Sequence, residues 1–161
     1  NYRVRVDAVD NCGHQAADEA DIIVDNTPPQ ADIASPENCA FIQCGSMVNV
    51  KGTACDVNLS NWVLQVTGGT YVGWVTIASG NICVIEDLLG VWDTTGLPNC
   101  AYTLRLLVND SAILNCNGAI VHQSEDVVSV NIGLAGDVNG DGAVNFADIT
   151  EVLMFWGFTC P

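Results

Sequence analysis

Short stretches of alternating apolar and polar residues fill most of this 161-residue chain. In residues 101–109, Tyr102, Leu104, Leu106 and Val108 take every second position. A period of two puts these side chains on one face of a β-strand, because successive side chains of a strand point to opposite faces. Comparable stretches occupy residues 2–9, 31–34, 47–54, 62–66, 71–77, 82–85 and 126–132.

Turn residues separate these stretches, and no helical pattern precedes residue 146. Many short strands linked by turns are typical of two antiparallel sheets packed face to face. The sequence therefore predicts a mainly β fold, with an antiparallel sandwich over residues 28–134. We expect a β-hairpin before it, over residues 1–27, joined by a stiff linker at residues 26–29 (NTPP). A loop followed by one helix is expected after it, over residues 135–161.

The N-terminal segment repeats part of the sandwich. Residues 2–6 (YRVRV) match residues 102–106 (YTLRL), and residues 20–25 echo the last strand. The segment thus resembles the last two strands of a preceding sandwich whose first five strands are absent. An isolated hairpin is only marginally stable in water. We therefore expect it either to dock on this chain's own sandwich or to be donated to a neighbouring copy by strand addition.

Acidic residues outnumber basic ones by 19 to 4, which gives a net charge of −15. Only 14% of residues are charged and 49% are hydrophobic, a composition typical of a folded protein and not of a disordered acidic tail. Strong negative charge disfavours nucleic acid and anionic membrane surfaces, whereas it favours divalent cations. No signal peptide and no apolar run of roughly 18 residues is recognisable, as expected of a mature or excised secreted segment.

Eight cysteines occur without the paired spacing of zinc knuckles, and the chain has only two histidines. An even number of cysteines in such a pattern predicts disulfides and an oxidising, extracellular setting. The pairs expected from sandwich geometry are Cys55–Cys116, Cys39–Cys100 with Cys44 as a competitor, Cys12–Cys83 or a bond from Cys12 to another subunit, and Cys44–Cys160.

A metal site is predicted near the end of the chain, at residues 137–148 (DVNGDGAVNFAD). Oxygen-bearing side chains stand at positions 1, 3, 5, 9 and 12 of this stretch and a glycine stands at position 6, which is the spacing of a calcium loop of the EF-hand type. Gly142 permits the sharp bend that the loop needs. The predicted Ca²⁺ ligands are Asp137, Asn139, Asp141, the Ala143 carbonyl, Asn145 directly or through water, and Asp148.

The loop and the helix after it resemble a dockerin repeat. The likeness covers residues 136–157 and rests on the GDVNGDG run, on aspartate in place of glutamate at position 12, and on the apolar helix. Dockerins that bind cohesins carry two such loops packed face to face, whereas this chain carries one. A single unit cannot bury its apolar helix face, so that face is expected to dock on this protein or on a neighbour: Ile149, Val152, Leu153 and Trp156.

Residues 28–134 resemble the immunoglobulin-like or fibronectin type III-like modules of bacterial secreted proteins. The likeness rests on Gly52-Thr53-Ala54, Asn58-Leu59, Trp62, residues 92–98 (WDTTGLP) and residues 102–106 (YTLRL). It implies an antiparallel immunoglobulin-like sandwich and a secreted context. It implies no particular activity, because one fold hosts many functions.

An enzyme is not expected. The chain has no nucleophile elbow, phosphate loop or HExxH motif, and His14 and His122 are expected in exposed polar loops. Trp62 is in phase with core positions, whereas Tyr71 and Trp74 are candidates for an exposed carbohydrate-binding platform.

A second calcium site near the linker would need Asp7, Asp10, Asp25 and Asn26 to converge. Ordinary turn chemistry explains the same residues without a metal.

These features together predict an extracellular, non-enzymatic structural protein that binds Ca²⁺, is stabilised by disulfides and self-assembles into a filament or array by strand addition. One alternative is a fragment of a large secreted multidomain protein whose dockerin-like tail anchors it to a cohesin-like partner. Another is a carbohydrate-binding module with a polysaccharide partner. We expect neither a nucleic-acid partner nor membrane insertion.

Overall fold

The computed structural model describes residues 2–22, 25–113 and 121–157. These residues form ten β-strands and one α-helix. The strands are β1 (Tyr2–Val9), β2 (Gln15–Ile22), β3 (Gln30–Ser35), β4 (Phe41–Gln43), β5 (Met47–Cys55), β6 (Leu59–Gly68), β7 (Tyr71–Gly80), β8 (Val84–Asp93), β9 (Cys100–Ile113) and β10 (Val121–Gly133), and the helix is α1 (Phe146–Met154).

Two sheets form the body of the molecule. The larger has the strand order β4-β10-β9-β6-β7 and the smaller has the order β3-β5-β8. Neighbouring strands are antiparallel, except that the short β4 runs parallel to β10. The predicted fold class, a mainly β antiparallel sandwich, is therefore confirmed.

The core lies between the two sheets and follows the period-two pattern of the sequence. On β9, Tyr102, Leu104, Leu106 and Val108 are all fully buried. They face residues of the smaller sheet, among them Trp92, whose ring meets that of Tyr102 edge to face with centroids 5.5 Å apart. Burying each such side chain stabilises the fold by about 1.5–3 kcal/mol, so this interface dominates the stability of the sandwich.

A tyrosine corner supports the immunoglobulin-like character of the sandwich. The Tyr102 hydroxyl, near the start of β9, donates a hydrogen bond to the Pro98 carbonyl oxygen at 3.1 Å. A tyrosine at this place that bonds to the backbone a few residues upstream is a hallmark of immunoglobulin-like sandwiches.

The N-terminal hairpin forms a separate two-stranded sheet. β1 pairs with β2 from Tyr2 opposite Ile22 to Val9 opposite Gln15, and neither strand joins the sandwich sheets. Residues 2–21 are all exposed. The structure therefore does not place the hairpin on its own sandwich, which was one of the two expectations.

Two parts of the sandwich differ from the sequence predictions. β8 extends to Asp93, well beyond the predicted 82–85, because Glu86 has φ 49° and the β5–β8 register shifts, so the strand loses simple alternation. β4 was not predicted, because three residues are too few for a periodic signal. Within the described ranges no helix is long and apolar enough to cross a membrane.

Candidate metal centre

The predicted calcium loop is held in a curl by its own side chains. The Asp137 carboxylate accepts hydrogen bonds from the backbone N–H groups of Asp141 at 3.0 Å and Gly142 at 2.9 Å. The Asn139 side-chain oxygen also accepts from the Asp141 N–H at 2.9 Å, and Asp141 accepts from the Ala143 N–H at 2.9 Å. The residues at positions 1, 3 and 5 thus turn the backbone around one centre.

Asp148, at position 12, joins the two ends of the loop. It is a buried residue, and its Oδ1 accepts from the N–H groups of Val138 at 2.8 Å and Asn139 at 3.3 Å. Its Oδ2 accepts from the Asn145 N–H at 2.7 Å. The Asn145 bond, followed by those from Asn139 and Val138, outweighs burial and lowers the pKa of Asp148.

The same residues start helix α1. Asn145 is the N-cap, and its side-chain oxygen accepts from the Ala147 N–H at 2.8 Å. Asp148 completes a capping box, which satisfies backbone donors that a helix leaves unpaired. The loop geometry and the helix are therefore one cooperative unit.

The backbone has the bends that the loop chemistry needs. Gly140 and Gly142 have φ values of 75° and 86°, in the left-handed region that favours glycine. A Cβ on Gly142 would meet no atom within 4 Å, so a larger residue there would suffer from backbone strain and not from a clash.

The donor set of this loop fits Ca²⁺. All six predicted ligand groups are oxygens, which a hard cation prefers. A carboxylate offers about four lone-pair positions, and three of those on Asp148 already accept N–H groups. The remaining position is on Oδ2, so Asp148 has room to bind a metal through that oxygen alone. Among the described residues, the acidic side chains found as a group of three within 4.8 Å of one another are Asp25, Asp56 and Asp110, and none of them belongs to the loop.

The helix face expected to dock stays uncovered. Ile149, Val152, Leu153 and Trp156 are all exposed, as is Phe146. Among the described residues, α1 therefore leaves its apolar side to solvent, and a covering surface must come from elsewhere.

A separate acidic cluster lies where the linker meets the sandwich. Asp25, Asp56 and Asp110 place carboxylate oxygens within 4.8 Å of one another, and Asp110 is 1% exposed. Asn58 donates to Asp25 at 2.6 Å through its amide and to Asp56 at 2.7 Å through its backbone N–H. His122 meets Asp110 with both its backbone N–H, at 3.1 Å, and its Nδ1, at 3.0 Å.

These bonds explain the cluster as a polar joint. The Thr27 N–H first, then the Asn58 amide, lower the pKa of Asp25 against the opposing effect of burial. The bonds fix the linker to the β5–β6 connection beside β9.

Asp7, Asp10 and Asp25 do not converge, which favours the alternative of ordinary turn chemistry over a second calcium site near the linker. Asp7 pairs with Arg5 at 2.8 Å on β1, and Asp10 pairs with His14 at 2.8 Å at the tip of the hairpin. Asp25 instead joins Asp56 and Asp110, which lie far along the chain. Linear proximity gave no signal for that grouping.

One disulfide, Cys55–Cys83, is formed among the described cysteines. It overturns the predicted Cys55–Cys116 and Cys12–Cys83 pairs, because each needs a sulfur that is already bonded. Cys39 and Cys100 are free thiols, so the predicted Cys39–Cys100 pair is also wrong. Cys116 and Cys160 lie outside the described residues.

The aromatic candidates separate clearly. Trp62 is buried, as expected, and donates from Nε1 to the Ile82 carbonyl at 3.0 Å. Tyr71 is half-buried against Tyr102, so its expected exposure is wrong in part. Trp74 is 38% exposed, but the Arg105 guanidinium carbon lies 3.9 Å from its ring centroid and occupies one face.

The two histidines differ from the expectation of two exposed loops. His14 is exposed, whereas the His122 side chain is 16% exposed and paired with Asp110. The ring of each histidine meets an aspartate, His14 with Asp10 and His122 with Asp110. No protein-family model matches this chain, and no curated protein is significantly similar to it in sequence.

Proposed function

We propose that this chain is a non-enzymatic structural module of an extracellular array, with a calcium-binding tail and with neighbouring units that complete both of its ends. The hairpin is donated to one neighbour, and the tail helix is covered by another surface. The disulfide suits an oxidising environment of this kind.

One observation carries the proposal: the sandwich has a buried core, whereas the elements before and after it, the hairpin and α1, each have an exposed apolar face. The linker approaches the sandwich at the Asp110 end of β9, where Asn58 bonds to Asp25. The tail leaves after Gly133, next to Cys100 at the opposite end of β9. The two open faces therefore belong to opposite ends of the sandwich, which suits units joined in series.

The tail contributes a metal-dependent hinge in this proposal. Bound Ca²⁺ would neutralise the loop carboxylates and draw them together. The oxygens of Asp137, Asn139 and Asp141, the Ala143 carbonyl, Asn145 and Oδ2 of Asp148 would hold the ion. Since Asp148 and Asn145 also cap α1, ordering the loop orients the helix and its apolar face.

Isothermal titration calorimetry with Ca²⁺ tests the metal part. We expect a saturable site that Asp141→Asn weakens by at least about tenfold, since charge count sets calcium affinity. Asp56→Asn, in the polar joint, is the matched control and should leave the titration unchanged. Loss of binding in Asp56→Asn with none in Asp141→Asn would assign the ion to the joint and contradict the proposal.

The exposed α1 face favours a second candidate, an anchor to a cohesin-like partner. A gel-shift with a cohesin domain tests it, with Leu153→Asp on the exposed face as the disrupting variant. A shift that Leu153→Asp abolishes would favour the anchor over the structural array.

A further inference from the structure

The N-terminal hairpin has the same strand register as β9–β10. The register that pairs Tyr2 with Ile22 matches the register that pairs Tyr102 with Val130. Carried along both strands, it superposes identical residues: Tyr2 on Tyr102, Arg5 on Arg105, Asp10 on Asp110, His14 on His122, Gln15 on Gln123 and Asp18 on Asp126.

The matched polar residues also make the same bonds. Asp10 accepts the His14 backbone N–H at 2.9 Å and meets His14 Nδ1 at 2.8 Å. Asp110 does the same with His122, at 3.1 and 3.0 Å. The same two-point pairing thus occurs in each hairpin, although the partners are four positions apart along the chain in one and twelve in the other.

The two hairpins differ in what covers them. Tyr102, Leu104 and Leu106 are at most 1% exposed beneath β3, β5 and β8, whereas their counterparts Tyr2, Val4 and Val6 are 67%, 47% and 64% exposed. β9 also pairs with β6 and β10 with β4, while the outer edges of β1 and β2 pair with no described strand.

Asp18 and its counterpart Asp126 differ in the hydrogen bonds that their Oδ2 atoms accept. Oδ1 of Asp126 accepts the Val127 N–H at 2.9 Å, and Oδ1 of Asp18 accepts the Glu19 N–H at 3.0 Å. Oδ2 of Asp126 accepts the Ile33 N–H of β3 at 2.7 Å. Oδ2 of Asp18 has no hydrogen-bond partner among the described residues. It could accept a backbone N–H placed as that of Ile33 is placed against Asp126.

We propose that β1–β2 is the closing hairpin of a second immunoglobulin-like sandwich, and that its apolar face binds a set of strands of the same kind as β3 to β8. This inference rests on the proposed function and names the neighbour at the N-terminal end. A folded second copy does not fit, because its own β9–β10 already fills the place. The units of the array are therefore successive sandwiches, with Tyr2 as the tyrosine corner of the first.

A tandem chain tests the proposal. Residues 28–100 are duplicated in front of Asn1 of the full chain, which puts the duplicate's Pro98 four residues before Tyr2, as in the native Tyr102 corner. Hydrogen exchange over residues 2–22 should slow by about 100-fold or more relative to the single chain, because the hairpin amides become part of a closed sandwich. Val4→Asp should abolish that slowing. Val9→Asp lies on the opposite face of β1, away from the proposed contact, and should keep it.

A second tandem, with residues 28–133 duplicated whole, establishes that the duplicate strands fold when β9–β10 closes them. If that control is protected and residues 2–22 in the first tandem are not, the proposal is wrong. Protection of residues 2–22 in the single chain that rises with protein concentration would instead assign a second copy and also overturn it. Neither outcome involves calcium, so the tail part of the proposed function is tested separately.

Discussion

At the scale of single residues, Asp148 has the most consequential position in the tail. Its two oxygens bind backbone N–H groups on both sides of the loop, and it lies in the first turn of α1. Asp148 is buried, and a buried polar group left without its partners costs about 1–3 kcal/mol. The residue therefore stabilises the loop even before its part as a metal ligand is considered.

Gly142 is the residue whose replacement isolates the bend of the loop. Gly142→Ala forces a Cβ into a left-handed conformation, which costs about 1–2 kcal/mol, and we expect Ca²⁺ affinity to fall by about 5–30-fold. Calorimetry measures the change. Gly73→Ala, also at positive φ but on β7, is the control and should leave the affinity unaltered. Equal affinities for Gly142→Ala and the parent chain would contradict a role for this bend.

The lowered pKa of Asp10 predicts how the stability of the hairpin tip changes in acid. The His14 side chain first, then the His14 backbone N–H, lower the pKa of Asp10 below its ordinary 3.8. A lowered pKa means that the ionised form stabilises the folded tip above pH 3.8, and that this contribution disappears as the pH falls through the lower folded value.

The amide shifts of Cys12 and His14, which donate to Asp10, should report this transition in an NMR titration. We expect a midpoint below 3.8 and no such transition in Asp10→Asn. A midpoint at or above 3.8 would show that the pairing does not stabilise the tip.

At the scale of elements, alternation predicted the strands of the core and also β1, whose residues are all exposed. Leu104 and its neighbours on β9, and Trp62, Leu64 and Val66 on β6, occupy the core as the pattern indicates. The adjacent Leu88 and Leu89 on β8 break the alternation, so the length of that strand was not predictable. The loop motif correctly placed a turn and a helix start at residues 137–148, where its ligand set stays a prediction, but long-range groupings such as Asp25 with Asp110 depend on packing that no local pattern records.

The Cys55–Cys83 disulfide joins the last residue of β5 to the β7–β8 connection, and the two cysteines are 28 positions apart in the sequence. Cys55→Ser/Cys83→Ser should lower the free energy of unfolding by about 3–4 kcal/mol, because the open chain gains conformational freedom when unfolded. Chemical denaturation measures the loss. Cys12→Ser, at the exposed hairpin tip, is the control and should have no effect. An unchanged stability in the double variant would argue that the bond is absent in solution.

Matched truncations in the two hairpins compare their surroundings. Leu104→Ala leaves a cavity in a fully buried site and should destabilise the sandwich by about 2–5 kcal/mol. Val4→Ala, at the matching position of the exposed hairpin, should change the same denaturation midpoint by less than about 0.5 kcal/mol. A large effect of Val4→Ala would mean that the hairpin is already packed against something in the isolated chain.

At the scale of the whole molecule, the sandwich connects the N-terminal hairpin to the tail helix α1, and both of these elements have an exposed apolar face. The chain carries a net charge of −15, so like molecules repel unless cations or specific contacts intervene. Calcium at the tail loop would reduce that repulsion where α1 presents its apolar face. Assembly is therefore expected to depend on Ca²⁺ at one end and on sandwich completion at the other.

Hydrogen exchange across the full chain, with Ca²⁺ and with a chelator, tests the central claim most directly. We predict that residues 137–154 lose protection on chelation, because the loop and the first turn of α1 share Asn145 and Asp148. The strands β5, β6 and β9 should stay protected in both conditions, and residues 2–22 should exchange fast in both. Unchanged protection of residues 137–154 after chelation would contradict the calcium-ordered tail and, with it, this account of the molecule.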